Sequence, residues 1–394
     1  MAELKSERKE KRIWLRTALL VFFALLAVVS FTIGVLQYIH REPGYYDIEL
    51  NDEAKSTAFG SGLSLTYYAS GSSSEIRRTV AAAQDAFSVA ALQAYQLLDA
   101  TQEYAGLNNL ATLCLHPGEA VRLPQRLFRV LQDAQGKLGQ GLCSGALWAE
   151  WQTLRYLEEP ESADPLVNPS EAERLLAVTK ALEGGNAPTL TLDETDGTAT
   201  LTVPEGYQRV MEEWEIEAPP ITLGALQQAY LIDLTAQALR EAGFNQGCLM
   251  SESGVGLAMD LPVPVSLRVC RYDETGQREI DSLKITGNTA YAQYCAFPLE
   301  GEVYGKYSVA TDGVTRWRGA WTVSADPAGL FPAETVALVR PGTDAAEVAI
   351  RLLRCAQAET REQLAQELES AAGSGYALAA IWNEETLLEA GVRP

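Results

Sequence analysis

"ITLGALQQAYLIDLTAQALREAGF", residues 221–244, decides how the rest of the chain is read. Leu223, Leu226, Tyr230, Leu234 and Ala238 recur at intervals of three and four, the spacing of one helix face. Gly243 followed by Phe244 supplies a C-cap, and Thr222-Leu223-Gly224 reads as a turn, so a helix is predicted from that turn to Arg240. It opens on two glutamines, Gln227 and Gln228, which are adequate helix formers on an exposed face and need no ligand.

Further helical patterns cover Glu75 to Tyr104 (stripe Val80, Phe87, Ala91, Tyr95, Leu98), Leu123 to Leu138, and a stretch from a Ser170 N-cap to Leu182. Two more are predicted from Asp344 to Ala356 and from there to Ala371. Between them lie strand-like segments: "GLSLTYYA", a hairpin in "TLTLDETDGTATLTV", then "PVSLRVCRY", "GAWTVSA", "TVALV" and a last "YALAAIW". No regular strand–helix repeat orders them. The body is therefore expected to be one large mixed α+β domain.

At the other end, residues 17–39, "TALLVFFALLAVVSFTIGVLQYI", carry no charge. That run exceeds the roughly 20 residues a membrane-crossing helix needs. Basic residues from Lys5 to Arg16 precede it and Tyr38 lies at its far end, which predicts an uncleaved anchor with the N-terminus inside. A cleaved signal peptide fits less well, since the run is long and no small-x-small site follows it. The expected organisation is a cytoplasmic tail (1–16), an anchor (17–39), a linker (40–57) and an extracytoplasmic domain (58–394), at the cell membrane of a bacterial envelope.

Charge and histidine content narrow the chemistry. The first sixteen residues contribute +3 to the net charge of −21, so the remainder carries −24. A surface of that sign repels nucleic-acid phosphates. With only His40 and His116 in the chain, a histidine-rich zinc site or a Ser-His-Asp triad is excluded as a reading. The cysteines (Cys114, Cys143, Cys248, Cys270, Cys295, Cys355) are widely spaced without a CxxC and read as buried thiols.

Several stretches, in order, resemble the FAD:protein FMN transferase (ApbE) family, especially its membrane-anchored bacterial forms, from about Thr57 to Gly391. "YAGLNNLATLC" (104–114) is similar to the family's Gly-Ile-Asn-Asn-Leu segment through Asn108 and Asn109. "GLCSGALWAEW" (141–151) resembles its Gly-x-x-Leu-x-x-Trp segment through Gly145 and Trp151. "ITLGALQQAYLID" resembles DLGGIAKGYAVD: Leu223, Gly224, Tyr230 and Asp233 fit, while Thr222, Ala225, Gln228 and Ala229 stand where Asp, Gly, Lys and Gly are expected. "YGKYSVATDG" (304–313) aligns with Tyr-His-His-Ile-Ile-Asp-Pro-x-Thr-Gly, with Lys306 for the second histidine, Val309 for the aspartate and Ala310 for the proline. In "TVALVRPGTDAAEVAIRLL" (335–353), Ala346 fits the magnesium-ligating Ala-Asp-x-x-x-Thr, Glu347 stands for the aspartate and Arg351 for the threonine.

The resemblance implies a flavin-transferase-like fold that binds FAD and magnesium and attaches FMN to a Ser or Thr of a partner protein. Carried over residue by residue, it makes Glu347 and Lys306 the catalytic candidates and Glu347 the metal ligand. Asn108, Thr222, Gly224, Gln228, Tyr230 and Arg351 become the cofactor-binding candidates.

The substitutions pull the other way. Two alanines and a glutamine remove backbone flexibility and counter-charge from a phosphate loop. An arginine ligates no metal; Glu347 and Arg351 read as an i,i+4 surface pair, or Arg351 grips a pyrophosphate in the metal's stead. Three readings follow: a working transferase, a flavin-binding relative, and a pseudoenzyme acting as an envelope binding or scaffold protein.

Overall fold

The computed structural model describes residues 22–23, 26–32, 42–58, 62–273, 276–295, 306–328, 334–382 and 385–390. Of the expected 17–39 anchor, 22–23 and 26–32 are helical and exposed, and the rest lies outside the described residues. Among the described residues no helix is long and apolar enough to cross a membrane. Contacts divide the chain into a small unit (Met1–Tyr46 with Tyr68–Ala82) and a large one (Asp47–Tyr67 with Ala83–Pro394). In the small unit, Tyr45 and Tyr68 meet edge to face at 5.3 Å, and Ser72 N–H donates to Glu75 at 2.8 Å in the turn before a helix.

The large unit is built on a sheet whose strands run in the order Leu63–Ala69, Gly247–Ser251, Val255–Asp273, Gly276–Cys295, Thr335–Pro341, Ala377–Trp382, Glu385–Ala390. From Leu63–Ala69 to Glu385–Ala390, each strand runs antiparallel to its neighbour. The helices Gln227–Glu241 and Ala345–Ala356 lie on this sheet and against each other. A second, three-stranded sheet holds the predicted hairpin, Thr189–Asp193 with Thr198–Thr202, paired with Ala120–Arg122.

The helical expectations hold in outline, and their ends have physical causes. The helix Ser73–Leu98 stops at Asp99, whose carboxylate accepts from Thr101 N–H at 2.8 Å and Tyr104 hydroxyl at 2.9 Å, holding the chain in a turn. Asn168, not Ser170, caps Pro169–Ala181, with proline at the first helical position, where no N–H is needed. At the end of Gln227–Glu241, Phe244 N–H donates to Leu239 and Gly243 N–H to Arg240, with Gly243 at φ +86, a Schellman closure.

Three expectations change. The 40–57 stretch, read as a linker, carries the strand Gly44–Ile48 and the helix Asp52–Ala58. The short strand read in "PVSLRVCRY" is the outer half of Val255–Asp273, which pairs with the equally long Gly276–Cys295. Its register shifts at Ala258/Leu261, Leu261/Val265 and Val269/Cys270, which hides the alternation. "GAWTVSA" is no strand: Gly319 N–H and Thr322 hydroxyl, then Thr322 N–H and Gly319 carbonyl, close a turn there. The hairpin instead comes just before it, Tyr307–Thr311 with Val314–Arg318. Cys114, Cys143, Cys248, Cys270 and Cys355 are free thiols, and the last four are buried.

Candidate functional site

Three helices bring their polar residues together above the sheet. Gln125–Leu138 buries Leu127, Phe128, Val130, Leu131 and Ala134, and sets Asp133 and Lys137 side by side, one turn apart, at the flank of that face. Tyr230 and Asp233, three apart on Gln227–Glu241, face the same place, and Glu347 comes from the first turn of Ala345–Ala356.

Each of these groups has a partner. The Tyr230 hydroxyl donates to Asp133 Oδ2 at 2.7 Å, and the Lys137 ammonium donates to Asp133 Oδ1. The same ammonium lies 3.6 Å from Glu347 Oε2. Burial, the hydrogen bond to Asp133 and the nearby charges of Asp133, Asp233 and Glu347 push the Tyr230 hydroxyl well above the usual tyrosine range, so it stays a donor.

Asp233 serves the next helix. Its two carboxylate oxygens accept from Ala345 N–H at 2.8 Å and Ala346 N–H at 3.0 Å, satisfying orphan donors that the local N-cap residue, Asp344, leaves unmet. Burial lifts this carboxyl to about 7 against the downward pull of the two N–H groups. A raised folded pKa means its contribution to stability is full below the ordinary value of 3.8 and is lost as pH rises through about 7. Asp233→Asn, which keeps an acceptor and does not ionise, should flatten that loss. Urea unfolding at about pH 5 and about pH 8 checks this, and equal losses in both proteins would contradict it.

The Thr222–Leu226 turn packs on the same Ala345–Ala356 helix and is closed on itself. Thr222 N–H donates to Leu142 carbonyl at 3.0 Å, Gly224 N–H to Thr222 Oγ1 at 3.0 Å, and Leu226 N–H to Leu223 carbonyl at 3.0 Å. Gly224 adopts φ +54, the left-handed region, and the Trp148 ring lies 3.7 Å from where its Cβ would be. Glycine is needed there for the turn's own path.

The remaining sequence candidates lie elsewhere or serve packing. Asn108 is exposed and donates to Arg122 carbonyl at 2.8 Å, whereas the neighbouring Asn109, fully buried, caps the helix Leu110–Leu115. Gln228 is half-buried on the first turn of its helix, and Lys306 is half-buried at the start of the Tyr307–Thr311 strand. Glu347 and Arg351 each pair elsewhere: Arg351 reaches Glu367 at 3.9 Å and Ser370 Oγ at 3.5 Å, across to the helix Arg361–Gly373. Trp151 is a core residue, fully buried, with Nε1 donating to Ser324 carbonyl at 2.9 Å. Tyr304 lies outside the described residues.

The residues do not fit magnesium. That ion takes compact octahedral oxygen coordination at about 2.0–2.1 Å. Here an ammonium stands beside Glu347, both oxygens of Asp133 are engaged, and both oxygens of Asp233 hold helix N–H groups.

Asp133 and Lys137 carry no mark in the sequence beyond an acid and a base four apart on a helix. A second buried cluster escaped the sequence reading altogether: Arg318 and Asp164, both fully buried, pair at 2.8 Å with Tyr307 donating to the same carboxylate at 3.1 Å. Those partners are separated by 154 residues, and no local pattern announces them.

No protein-family model matches the chain, and no curated protein matches it in sequence. Among solved structures, the flavin transferase ApbE of Vibrio cholerae matches 88% of this chain and 96% of its own at 13% identity and a TM-score of 0.49. The ApbE protein of Thermotoga maritima matches 86% of this chain and 94% of its own at 15% identity and a TM-score of 0.53. The chain has an ApbE-like fold.

Proposed function

We propose that this chain is a flavin-transferase-like protein of the cell envelope that keeps the fold as a binding scaffold for a partner protein and no longer transfers FMN. In this reading the 17–39 run anchors it in the membrane and the body stands outside the cytoplasm. The observation that carries the proposal is the Thr222–Leu226 turn. Its amides at Thr222, Gly224 and Leu226 are paired within the protein, so three of the turn's backbone donors are already engaged and not free for a phosphate. Gln228 supplies no charge where the resembled family has a lysine. Groups acting together on one transition state lose far more than the sum of their parts when several change.

Flavin binding is the test. The full-length chain should show no saturable change in flavin fluorescence with FAD, with or without magnesium, at concentrations approaching about 1 mM, where binding is worth only about 4 kcal/mol. Saturable binding strengthened by magnesium would restore the transferase reading.

A further inference from the structure

Lys137 stands at the flank of its helix's apolar face, three residues on from buried Ala134 and seven on from buried Val130. It reaches a carboxylate on its own helix, Asp133, and one on another, Glu347. The side chain is only 19% exposed, so its ammonium is held rather than waving in solvent. Both of its ion-pair partners are carboxylates. Asp133, Asp233 and Glu347 all bear on the Tyr230 hydroxyl, and Asp344 bears on Asp233. Asp233 is occupied with the helix N–H groups, which leaves Asp133 and Glu347 as the two carboxylates facing one cation.

We infer that the Lys137 ammonium is a built-in replacement for a divalent cation, bridging Asp133 and Glu347 at the place where such an ion would otherwise bind. Arg351, the cation one helical turn on from Glu347, does not take this role, because its guanidinium engages Glu367 and Ser370. A lysine fits the task as a compact point charge with three donors on a flexible stem. Unlike a hydrated metal ion, it cannot open a coordination position to a ligand or polarise a bound oxygen as a Lewis acid. The cluster is thus closed to metal chemistry by one covalently attached charge. This inference does not depend on whether flavin binds.

Removing that charge should open a metal site. In Lys137→Gln, Asp133 and Glu347 lose their shared counter-ion and become two hard oxygen ligands, the kind that Mg²⁺ and Mn²⁺ take together with waters. The experiment titrates Mn²⁺ into full-length protein and follows loss of the free-ion electron paramagnetic resonance signal. Lys137→Gln should bind Mn²⁺ at least about tenfold more tightly than the wild type, a difference of about 1.4 kcal/mol. Lys137→Arg, which keeps a fixed cation, should show no gain. Adding Glu347→Gln to Lys137→Gln should abolish the gain and so locate it.

Two results would overturn the inference. One is a wild type that binds Mn²⁺ saturably and loses that binding in Glu347→Gln; this arm stands even where a position-137 variant fails to fold. The other is a Lys137→Gln protein with wild-type circular dichroism and Tm that gains no Mn²⁺ affinity. The flavin titration reads a different quantity, so failure of one proposal is distinguishable from failure of the other.

Discussion

Asp164→Ala should destabilise the large unit by about 3–5 kcal/mol, the cost of leaving a buried charge without its partner. Asp164 and Arg318 have side chains that are 0% exposed, and they meet at 2.8 Å. The carboxylate also accepts from Tyr307 hydroxyl at 3.1 Å and Leu166 N–H at 2.9 Å. Arg318 in turn donates to Pro327 carbonyl at 2.8 Å and lies 5.0 Å over the Trp151 ring. Truncation at 164 therefore strands a guanidinium, a phenol and an amide at once, at a site closed to solvent.

The same pair replaced as a unit should behave differently. Asp164→Leu combined with Arg318→Met removes both charges, and its loss should be clearly smaller than the sum of the two single substitutions. Urea unfolding of the four proteins gives the coupling directly. A loss below about 1 kcal/mol for Asp164→Ala, the range of exposed pairs, would contradict the assignment. The pair ties the Tyr307–Arg318 hairpin to the loop that precedes Pro169–Ala181, so it fixes the strand that Lys306 leads into.

Gly145→Ala carries the second large effect, and here two principles oppose each other. Gly145 is the first residue of the helix Gly145–Arg155, and alanine is the better helix former, so propensity alone does not oppose the substitution. Space decides otherwise. A Cβ at 145 would lie 1.7 Å from the Pro219 carbonyl oxygen and 3.3 Å from the Pro220 carbonyl carbon. Both are backbone atoms of a Pro-Pro segment whose φ angles are locked, so the neighbour cannot swing away. The expected loss is about 3 kcal/mol, the upper end of overpacking costs.

Gly136→Ala is the matched control, because nothing lies within 4 Å of its would-be Cβ inside Gln125–Leu138. It should stabilise by up to about 1 kcal/mol. Equal Tm shifts for the two variants would contradict this account. Gly145 is thus one of the positions that resemble the flavin-transferase family for a reason of packing: it lets residues 219–222 pass over a helix on their way into the Thr222–Leu226 turn.

Elements whose residues cooperate locally were legible in the sequence. The periodicity of Gln227–Glu241 with its Gly243-Phe244 closure, the apolar stripe of Gln125–Leu138 and the Asp-Gly hairpin after Thr189 each announce themselves within a dozen residues or so. The long strand pair from Val255 to Cys295 did not, since Pro262, Pro264, the left-handed Asp260 and three register shifts break its alternation. "GAWTVSA" has strand-like residues but is held by tertiary contacts, among them Trp321 Nε1 donating to Ser253 carbonyl at 3.0 Å.

The candidate site was legible only in part for the same reason. Tyr230 and Glu347 share the partners Asp133 and Lys137, while Thr222 and Gly224 belong to a turn packed on the helix that carries Glu347. Resemblance pointed to these four, but Asp133 and Lys137 sit on a helix whose sequence reads as an ordinary amphipathic segment. Whether a lysine at the flank of an apolar face pairs at home or across to another helix is set by packing, which periodicity does not encode.

The measurement that bears most directly on the central claim is a calorimetric titration of FAD into the full-length chain, run with and without magnesium. A fold that keeps a flavin transferase's architecture while its turn is closed on itself and its cation is a lysine predicts no saturable heat in either condition. Saturable FAD binding that tightens when magnesium is added would contradict it.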